Sequence, residues 1–158
     1  MLRESQFSMQ LRAGRGRYPR ASTLEGCPIV VCKSPIHGQG CFSTAEISIW
    51  TIIIEYIGER INLYEAVCRD HRCSPAFSPY ILTLDDDMFI DGANGGNESR
   101  FINHSCNPNC TVLRKKDRAF IVASGAISMG VELSIDYDYE DNRYEPCCCG
   151  IMNCRGFI

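Results

Sequence analysis

Short runs of β-branched and apolar residues, broken by glycine, proline and acidic residues, recur along most of the chain. Runs of about four to eight such residues between turn residues predict β-strands. Segment 28–42, PIVVCKSPIHGQGCF, predicts one strand followed by a glycine-rich loop, and segment 50–61, WTIIIEYIGERI, predicts two strands joined by a turn at Gly58. The first part of the chain is therefore predicted to be β-structure.

The same pattern continues toward the C-terminus. Segment 80–92, YILTLDDDMFIDG, predicts two strands around an acidic turn, and segment 111–124, TVLRKKDRAFIVAS, predicts a hairpin that turns at Lys116 and Asp117. Residues 131–140, VELSIDYDYE, alternate apolar and polar side chains like one more strand. Only segment 62–79 could carry a helix, since prolines close it. The whole predicts a mainly β domain without an internal repeat.

Length and charge restrict the class of protein. A chain of 158 residues is long enough for one domain with a substantial core. The formal net charge is −3, but the first twenty residues carry five arginines and one glutamate, so the remainder is acidic. We expect residues 1–26 to form a flexible basic arm, which suits phosphates, and the acidic body to bind a basic partner. The sequence offers neither a signal-peptide core nor the roughly 20 apolar residues of a membrane span, which favours a reducing compartment.

The eleven cysteines favour a metal site over disulfides, because thiols stay reduced in such a compartment. Cys147, Cys149 and Cys154 form a C-x-C-x4-C pattern that can place three thiolates round a tetrahedral zinc ion. The fourth ligand has to come from elsewhere, and Cys106 and Cys110 are the obvious donors. Which cysteines of the CCC triplet take part stays open, and small buried residues are the alternative interpretation.

Two other cysteine patterns are weaker. A second set forms two C-x4-C pairs near a histidine: Cys27, Cys32, Cys68, Cys73 and His71. A spacing of four is loose for zinc, so ordinary thiols are favoured there. A nucleophilic Cys106 with His104 as its base is also disfavoured, because the two side chains are expected on opposite sides of the chain and a sulfur committed to zinc would be poorly available for attack.

Two segments could bind a small ligand. HGQG, residues 37–40, follows a strand and contains glycines that permit close backbone approach, although a plain turn is the simpler explanation. Tyr137 and Tyr139 would share one face of a strand, with Asp136 and Asp138 on the other. Aromatic hydroxyls beside carboxylates suit the capture of a cationic amine, whereas one tyrosine in the core and one on the surface is the structural alternative. GANGGNES lacks the strand–helix context of a dinucleotide fingerprint.

In chain order, the segments SPIHGQGCF, EYIGE, GNESRFINHSCNPNC, ELSIDYDY and CCCGIMNCRGF resemble the successive motifs of the SET-domain protein lysine methyltransferases with their post-SET zinc segment. The resemblance covers about residues 28–158. It implies a mainly β fold of small curved sheets with a C-terminal pseudoknot, a SET domain at 27–140 and a zinc-bound post-SET tail at 141–158. RFINHSC and ELSIDYDY would then lie together at the knot.

The resemblance also implies roles for individual residues. Tyr137 would be the catalytic residue that orients the target amine, with Ile135 and Tyr80 in the lysine channel. The ligands of one structural zinc ion would be Cys106, Cys147, Cys149 and Cys154, which leaves Cys110 free. S-adenosylmethionine would be contacted by Ile36, His37, Gln39, Tyr80, Asn103 and His104.

One position departs from the family pattern. Ile135 stands where members of the family usually have Phe or Tyr, two residues before the catalytic tyrosine. Ile is smaller and has no hydroxyl, which predicts a roomier pocket that permits di- and trimethylation. The same residue is the one feature that favours an alternative, a catalytically weak module acting as a zinc-stabilised chromatin-binding domain.

The motifs are most similar to the trithorax/MLL branch, which methylates the lysine nearest the start of histone H3. The resemblance therefore implies a nuclear, chromatin-associated histone-lysine methyltransferase whose basic partner is the histone H3 tail. Nucleosomal DNA is a further candidate for the arm, through its phosphates. Activating subunits and a non-histone substrate are both left open by the sequence.

Overall fold

A computed structural model describes residues 26–70, 78–138 and 146–158 of the chain. The predicted basic arm lies almost entirely outside these residues. The strands are β1 Ile29–Lys33, β2 Gln39–Ser43, β3 Ile52–Tyr56, β4 Glu59–Asn62, β5 Ile81–Thr83, β6 Met88–Asp91, β7 Asn103–His104, β8 Cys110–Lys115, β9 Arg118–Ala123 and β10 Ser134–Ile135. An α-helix, α1, spans Leu63–Asp70, and a 3-10 helix spans Glu98–Phe101. The prediction of a mainly β domain is confirmed.

The ten described strands form four small sheets. β1 pairs with β2, β3–β9–β8 and β4–β6–β5 make two three-stranded sheets, and β7 pairs with β10. The two strands predicted around Gly58 exist as β3 and β4, but each joins a different sheet. A Cβ at Gly58 would collide with the Asp91 carbonyl, so glycine lets the chain pass closely from one sheet to the next.

Several local predictions are confirmed and others need correction. The β5–β6 pair and the β8–β9 hairpin form as expected, with Lys116 in the turn at φ 55°. The loop predicted after β1 is short, because Gln39 already begins β2, which pairs with the whole of β1. The glycine-rich loop ends in the unpredicted 3-10 helix, whose N-cap is Asn97. Residues 71–77 of the predicted helical segment lie outside the described residues.

The strand predicted over residues 131–140 is mostly absent. Its paired part is only Ser134–Ile135, and Asp138 adopts φ 48°, which ends extended structure. The predicted two-faced arrangement of tyrosines and aspartates on a strand is therefore wrong up to Asp138, while Tyr139 lies outside the described residues. The segment therefore pairs with β7 only as a short parallel ladder.

The core lies between the three-stranded sheets and the β1–β2 hairpin. Its largest fully buried side chains include Ile53, Ile90, Ile121 and Leu133. Burial of each such side chain stabilises the fold by about 1.5–3 kcal/mol relative to exposure. Among the described helices, no helix is long and apolar enough to cross a membrane.

The α1 helix is fixed to the β4–β6–β5 sheet mainly by charge. Its N-terminus is capped by the Asn62 side chain, which accepts from the Glu65 N–H at 2.9 Å. Arg69 in the last turn pairs with Glu59 at 2.7 Å and with Asp91 at 2.8 Å, and the buried Asp91 also accepts from the Ser78 hydroxyl at 2.6 Å. We call this set the Arg69 network.

Two turns of matching sequence face each other across the fold. ISIW at residues 47–50 and ISMG at 127–130 are joined at Ile47 and Ile127, which exchange main-chain hydrogen bonds of 2.8 and 2.9 Å. Gly130 takes a positive φ of 84° in the second turn, and Trp50 takes φ 65° at the matching place in the first. A tryptophan in this left-handed region is strained, and its side chain is 70% exposed.

Candidate functional site

The candidate site is built on the parallel pair β7–β10. Asn103 lies beside Ser134 and His104 beside Ile135, and the Ser105 N–H donates to the Ile135 carbonyl at 3.0 Å. Parallel strands need a crossover connection, and here the chain between them forms the β8–β9 hairpin. The two motifs that were predicted to lie together, RFINHSC and ELSIDYDY, therefore do meet.

Tyr137, just after β10, is hydrogen-bonded through both its hydroxyl and its main chain. Its hydroxyl donates to the Ile102 carbonyl at 3.0 Å, and its main-chain N–H donates to Nδ1 of His104 at 3.2 Å. The rings of Tyr137 and His104 lie 5.4 Å apart between centroids. The tyrosine hydroxyl therefore has a fixed position beside β7.

His104 connects this tyrosine with the cysteines. The residue is 3% exposed, and Nε2 lies 3.4 Å from Sγ of Cys106. A main-chain N–H can only donate, so Nδ1 facing Tyr137 is the bare nitrogen and Nε2 carries the proton toward the sulfur. Burial lowers the pKa of His104 and the carboxylate of Asp136 only partly opposes this, so the ring is neutral at pH 7. Both ring nitrogens are thus engaged within the chain.

The expectation that His104 and Cys106 point to opposite sides is wrong. Side chains two apart in extended structure lie on the same face of the chain, which brings the thiol of Cys106 beside the ring. The contact does not create a nucleophile, because Sγ of Cys106 also lies 3.7 Å from Sγ of Cys147 and 3.8 Å from Sγ of Cys154. A sulfur shared with other thiols in this way suits a metal ligand.

Four sulfurs, those of Cys106, Cys147, Cys149 and Cys154, lie within 4.8 Å of one another. Ligands about 2.3 Å from a tetrahedral zinc ion are about 3.8 Å apart, so this donor set fits zinc. Together these residues form what we call the thiol side of the site. It would hold the ion as a closed structural centre, since all four ligands come from protein.

The structure also resolves which cysteines take part. Cys148, the middle residue of the triplet, is exposed and lies outside the cluster. Cys110 is 1% exposed within the hydrophobic core, where burial raises its thiol pKa to about 12, so it is an inert core residue. Of the two loop cysteines, Cys106 is therefore the one that belongs to the cluster, and its role as a zinc ligand stays a prediction.

The tail that carries three of these thiols is a small paired structure. The Cys147 N–H donates to the Gly156 carbonyl at 3.1 Å, and Pro146 bridges Phe157. Burial raises the pKa of the Cys149 thiol, but main-chain hydrogen bonds and the neighbouring thiols outweigh burial and lower it to about 6. A thiolate is thereby favoured at this position, which is the form that binds metal.

One ion pair connects the tail to the segment of the tyrosine. The two terminal guanidinium nitrogens of Arg155, Nη1 and Nη2, donate to the carboxylate of Asp136 at 2.9 and 2.7 Å. The carboxyl of Asp136 is also 3.5 Å from Nδ1 of His104. Burial raises the pKa of Asp136, but the Arg155 hydrogen bonds outweigh it and hold the pKa below its usual value.

Residues 34–38 form a compact loop between β1 and β2, and Gln39 and Gly40 begin β2. The Ser34 hydroxyl accepts from the N–H groups of Ile36 at 2.9 Å and His37 at 3.3 Å. Gly38 has φ 49°, and a Cβ at Gly40 would collide with the carboxylate of Glu132. The glycines of HGQG are therefore required by one left-handed residue and one close approach.

The side chain of Asn103 fastens this loop to β7. Its Nδ2 donates to the carbonyls of His37 at 3.2 Å and Gln39 at 2.9 Å, and to Oε1 of Glu132 at 2.8 Å. Glu132 in turn accepts from the Ser34 hydroxyl at 2.8 and 3.0 Å. Residues 34–40, Asn103 and Glu132 form what we call the loop side of the site.

The family model described as SET domain matches residues 38–138, a range that contains β7, β10 and Tyr137. This chain belongs to the SET-domain family. It is 36% identical over 141 residues to "Histone-lysine N-methyltransferase, H3 lysine-4 specific" of Saccharomyces cerevisiae, covering 83% of this chain and 13% of that protein. It is 38% identical over 135 residues to "Histone-lysine N-methyltransferase SETD1B" of Homo sapiens, covering 80% of this chain and 7% of that one.

A solved structure agrees with these relatives. "Crystal structure of KRYPTONITE in complex with mCHG DNA and SAH" matches with a TM-score of 0.68 and 29% identity, over 82% of this chain and 28% of the other. The predicted SET-domain fold and the predicted trithorax/MLL-like branch are confirmed by these comparisons. The chain spans only a small part of the length of each relative.

Tyr80 and Ile135 each contact the segment that holds Tyr137 in this SET domain. The Tyr80 ring packs edge-on against Phe101 at 5.9 Å, one residue before the carbonyl that accepts from Tyr137. Ile135 is 4% exposed and belongs to the hydrophobic core, where it pairs with His104. Ile135 is two residues before the tyrosine in sequence, and Tyr80 is connected to the tyrosine's surroundings through Phe101. The role of both residues in a lysine channel stays a prediction.

Three asparagines that spell glycosylation sequons have internal tasks in the SET domain. The Asn97 amide donates to the Glu55 carbonyl at 2.9 Å, and the Asn109 amide donates to the Glu132 carbonyl at 2.8 Å. Asn103 is 7% exposed and is bonded as described above. The side chain of each asparagine therefore hydrogen-bonds to a segment that is distant in sequence.

Sequence reasoning missed Glu132 and Ser34, which complete the loop side. The available signals were the serine before Pro35, since a hydroxyl often accepts from N–H groups two and three residues on, and the glutamate in ELSIDYDY. Of the second cysteine set, Cys27 contacts the core, whereas Cys32 and Cys68 are exposed. Within the described residues these thiols join no metal-binding group, and His71 and Cys73 lie outside that part of the chain.

Proposed function

We propose that this chain is an S-adenosylmethionine-dependent lysine N-methyltransferase that acts on the histone H3 tail, with lysine 4 as its target. The observation that carries the proposal is the β7–β10 pair, which holds Tyr137 beside Asn103 and His104 inside the segment that matches the SET domain. The names of the relatives supply the lysine. The acidic remainder of the chain suits a basic tail.

The loop side is the proposed cofactor site. Residues Ile36, His37, Gln39, Tyr80, Asn103 and His104 would bind S-adenosylmethionine, whose sulfonium supplies the methyl group. Since both ring nitrogens of His104 have partners in the chain, its contribution would come from its main chain. Because Nδ2 of Asn103 already donates to three acceptors in the chain, the amide oxygen is the atom that would contact the ligand.

The reaction is a direct methyl transfer. The cofactor would supply its sulfonium methyl group to the lone pair of the neutral lysine amine and leave as a thioether, and the methylated amine would lose its proton to water. Tyr137 would orient the amine with its hydroxyl, whose position is set by Ile102. A dry channel lined by Ile135 and Tyr80 would favour the neutral amine.

The test is transfer of a labelled methyl group to recombinant histones and nucleosomes, for the wild type and for Tyr137→Phe. We expect incorporation at lysine 4 of histone H3 and a fall of roughly 100- to 1,000-fold in kcat for the variant. The matched control is Tyr64→Phe, because that tyrosine is 77% exposed on α1 and should be dispensable. Bound cofactor without any incorporation would contradict a histone substrate, and failure to bind cofactor would favour a non-catalytic module.

Ile135 leads to a proposal about the product. Its short aliphatic side chain leaves room for a methylated amine, so we expect di- and trimethyl-lysine by mass spectrometry. Replacing Ile135 with Phe should shift the products toward monomethyl-lysine. A wild type that stops at monomethyl-lysine would refute the proposal.

The cellular setting follows from the substrate. A histone methyltransferase acts in the nucleus, on chromatin, so the protein should fractionate with nucleosomes. Addition of nuclear extract should reveal any need for activating subunits as a rise in kcat. A protein confined to the cytosol would contradict the histone as substrate.

A further inference from the structure

Three separate parts of the chain meet at the carboxylate of Glu132. Ser34 donates from the loop and Asn103 donates from β7, and each lies 2.8 Å from Oε1 of Glu132. The main chain of Glu132 is itself fixed, because its carbonyl accepts from Asn109 and the residue bridges Phe42. The carboxylate therefore has a defined place that the fold determines.

This carboxylate settles the direction of the Asn103 amide. All three partners of Nδ2 are acceptors, namely the carbonyls of His37 and Gln39 and Oε1 of Glu132. A flipped amide would set Oδ1 against all three, with repulsion that is largest at the charged Glu132. Within the part of the chain that the structure describes, Oδ1 has no recorded hydrogen-bond donor, although Asn103 is 7% exposed.

We propose that Glu132 is a positioning residue that holds the Asn103 amide so that Oδ1 accepts a hydrogen bond from the ammonium group of the methionine part of S-adenosylmethionine. The inference rests on the proposed function, since it assumes that the loop side binds this cofactor. Glu132 would act on the ligand only through Asn103. Its charge also favours a cation near Asn103.

The test measures dissociation constants of two ligands by calorimetry. One is S-adenosylhomocysteine, and the other is its desamino analogue, in which hydrogen replaces the α-amino group. The wild type should prefer the first ligand, and Glu132→Gln should reduce that preference by on the order of 10-fold while the affinity for the analogue changes little. Glu65→Gln is the matched control, because it makes the same change at a partly exposed carboxylate on α1, outside the loop side, so the preference should persist.

Each outcome bears on the proposal. A Glu132→Gln protein that loses affinity for both ligands equally would show a structural role only and would overturn it, as would an unchanged preference. If the wild type binds neither ligand, the proposed function fails along with the inference. If the wild type binds and Glu132→Gln keeps the same preference between the two ligands, only the inference fails. If Glu132→Gln does not fold, Glu132→Asp keeps the charge but withdraws it from Asn103, and the same loss of preference is expected.

Discussion

The loop side and the thiol side of the site are held together by different physics. On the loop side, Ser34, Asn103 and Glu132 satisfy one another and the loop backbone with hydrogen bonds that need no ligand. On the thiol side, four sulfurs of half-buried side chains converge within 4.8 Å of one another. The first is therefore a product of folding alone, and the second requires an ion to offset the crowding of four thiolates.

Removal of the metal should give the largest difference between the two sides. Chelation, or Cys154→Ser, should release residues 146–158 while β1 and β2 stay ordered, because only the thiol side depends on the ion. Activity should fall nearly to zero, since the whole tail then leaves the segments that carry Cys106 and Tyr137. Hydrogen exchange with mass spectrometry checks this, with protection lost in the tail and kept in residues 29–43.

A matched control for this prediction is Cys148→Ser. That thiol neighbours two ligands but lies outside the cluster, so zinc content and exchange should match those of the wild type. Equal loss of protection in the tail and in β1–β2 after chelation would show that the two sides are not independent.

The Arg69 network provides a second test of the comparison, because it lies on neither side. Replacing Asp91 with Asn leaves Arg69 without its buried partner, which should lower the free energy of unfolding by about 3–5 kcal/mol. Zinc content at 25 °C should stay at one ion per chain. Urea unfolding measures the loss, and a drop in metal content without a drop in stability would contradict the separation.

The same residue predicts a pH dependence. Burial raises the pKa of Asp91, but hydrogen bonds from Ser78 and Arg69 outweigh it, so the folded pKa lies below the usual 3.8. Since the unfolded chain then binds the proton more readily, the contribution of Asp91 is complete above the unfolded pKa and is lost as pH falls through the folded one. The difference in stability between wild type and Asp91→Asn should accordingly shrink in this acid range, and a difference constant with pH would exclude this origin.

A smaller effect is expected at the contact between the tail and the tyrosine segment. Arg155→Lys keeps the charge but loses the two-pronged contact with Asp136. The two residues are partly exposed, so the loss should be about 1 kcal/mol or less, seen as a few-fold weaker hold on zinc in chelator competition. Arg155→Gln should be no more than slightly worse, and a large gap between the two variants would mean that charge alone matters.

The smallest effect should come from the turn at Trp50. A non-glycine residue in the left-handed region costs roughly 1–2 kcal/mol, and glycine returns part of this through the entropy of the unfolded chain. Trp50→Gly should therefore stabilise the protein by less than about 1 kcal/mol without changing either side of the site. Gly130→Ala at the matching turn should destabilise by a similar amount, and thermal unfolding measures both.

Much of this structure follows from local pattern in the sequence. The β5–β6 pair and the β8–β9 hairpin were predictable because each joins neighbouring runs through a short turn. The zinc ligands of the tail were predictable because C-x-C-x4-C is a local spacing. Tyr137 and Asn103 were assigned through family resemblance, which local chemistry alone did not supply.

What could not be predicted depends on contacts between distant segments. β2 is a strand because it pairs with β1, while its own sequence, QGCFS, is that of a loop. β10 is short because Asp138 turns the chain. The thiol of Cys106 meets those of Cys147 and Cys154, which are 41 and 48 residues away. Glu132 is placed by partners 98 and 29 residues away, a relation that no local pattern carries.

The ion that the thiol side fits would also change the topology of the chain. It would join Cys106 to Cys147 across 41 residues and so enclose β8, β9 and β10 in a loop. A cross-link of that length removes about 4 kcal/mol of conformational entropy from the unfolded state in the chain-entropy treatment of disulfides. The zinc ion would thus cross-link the protein as a disulfide cross-links a secreted domain. The bonds would be reversible ones between thiolates and a cation, without any oxidation of the cysteines.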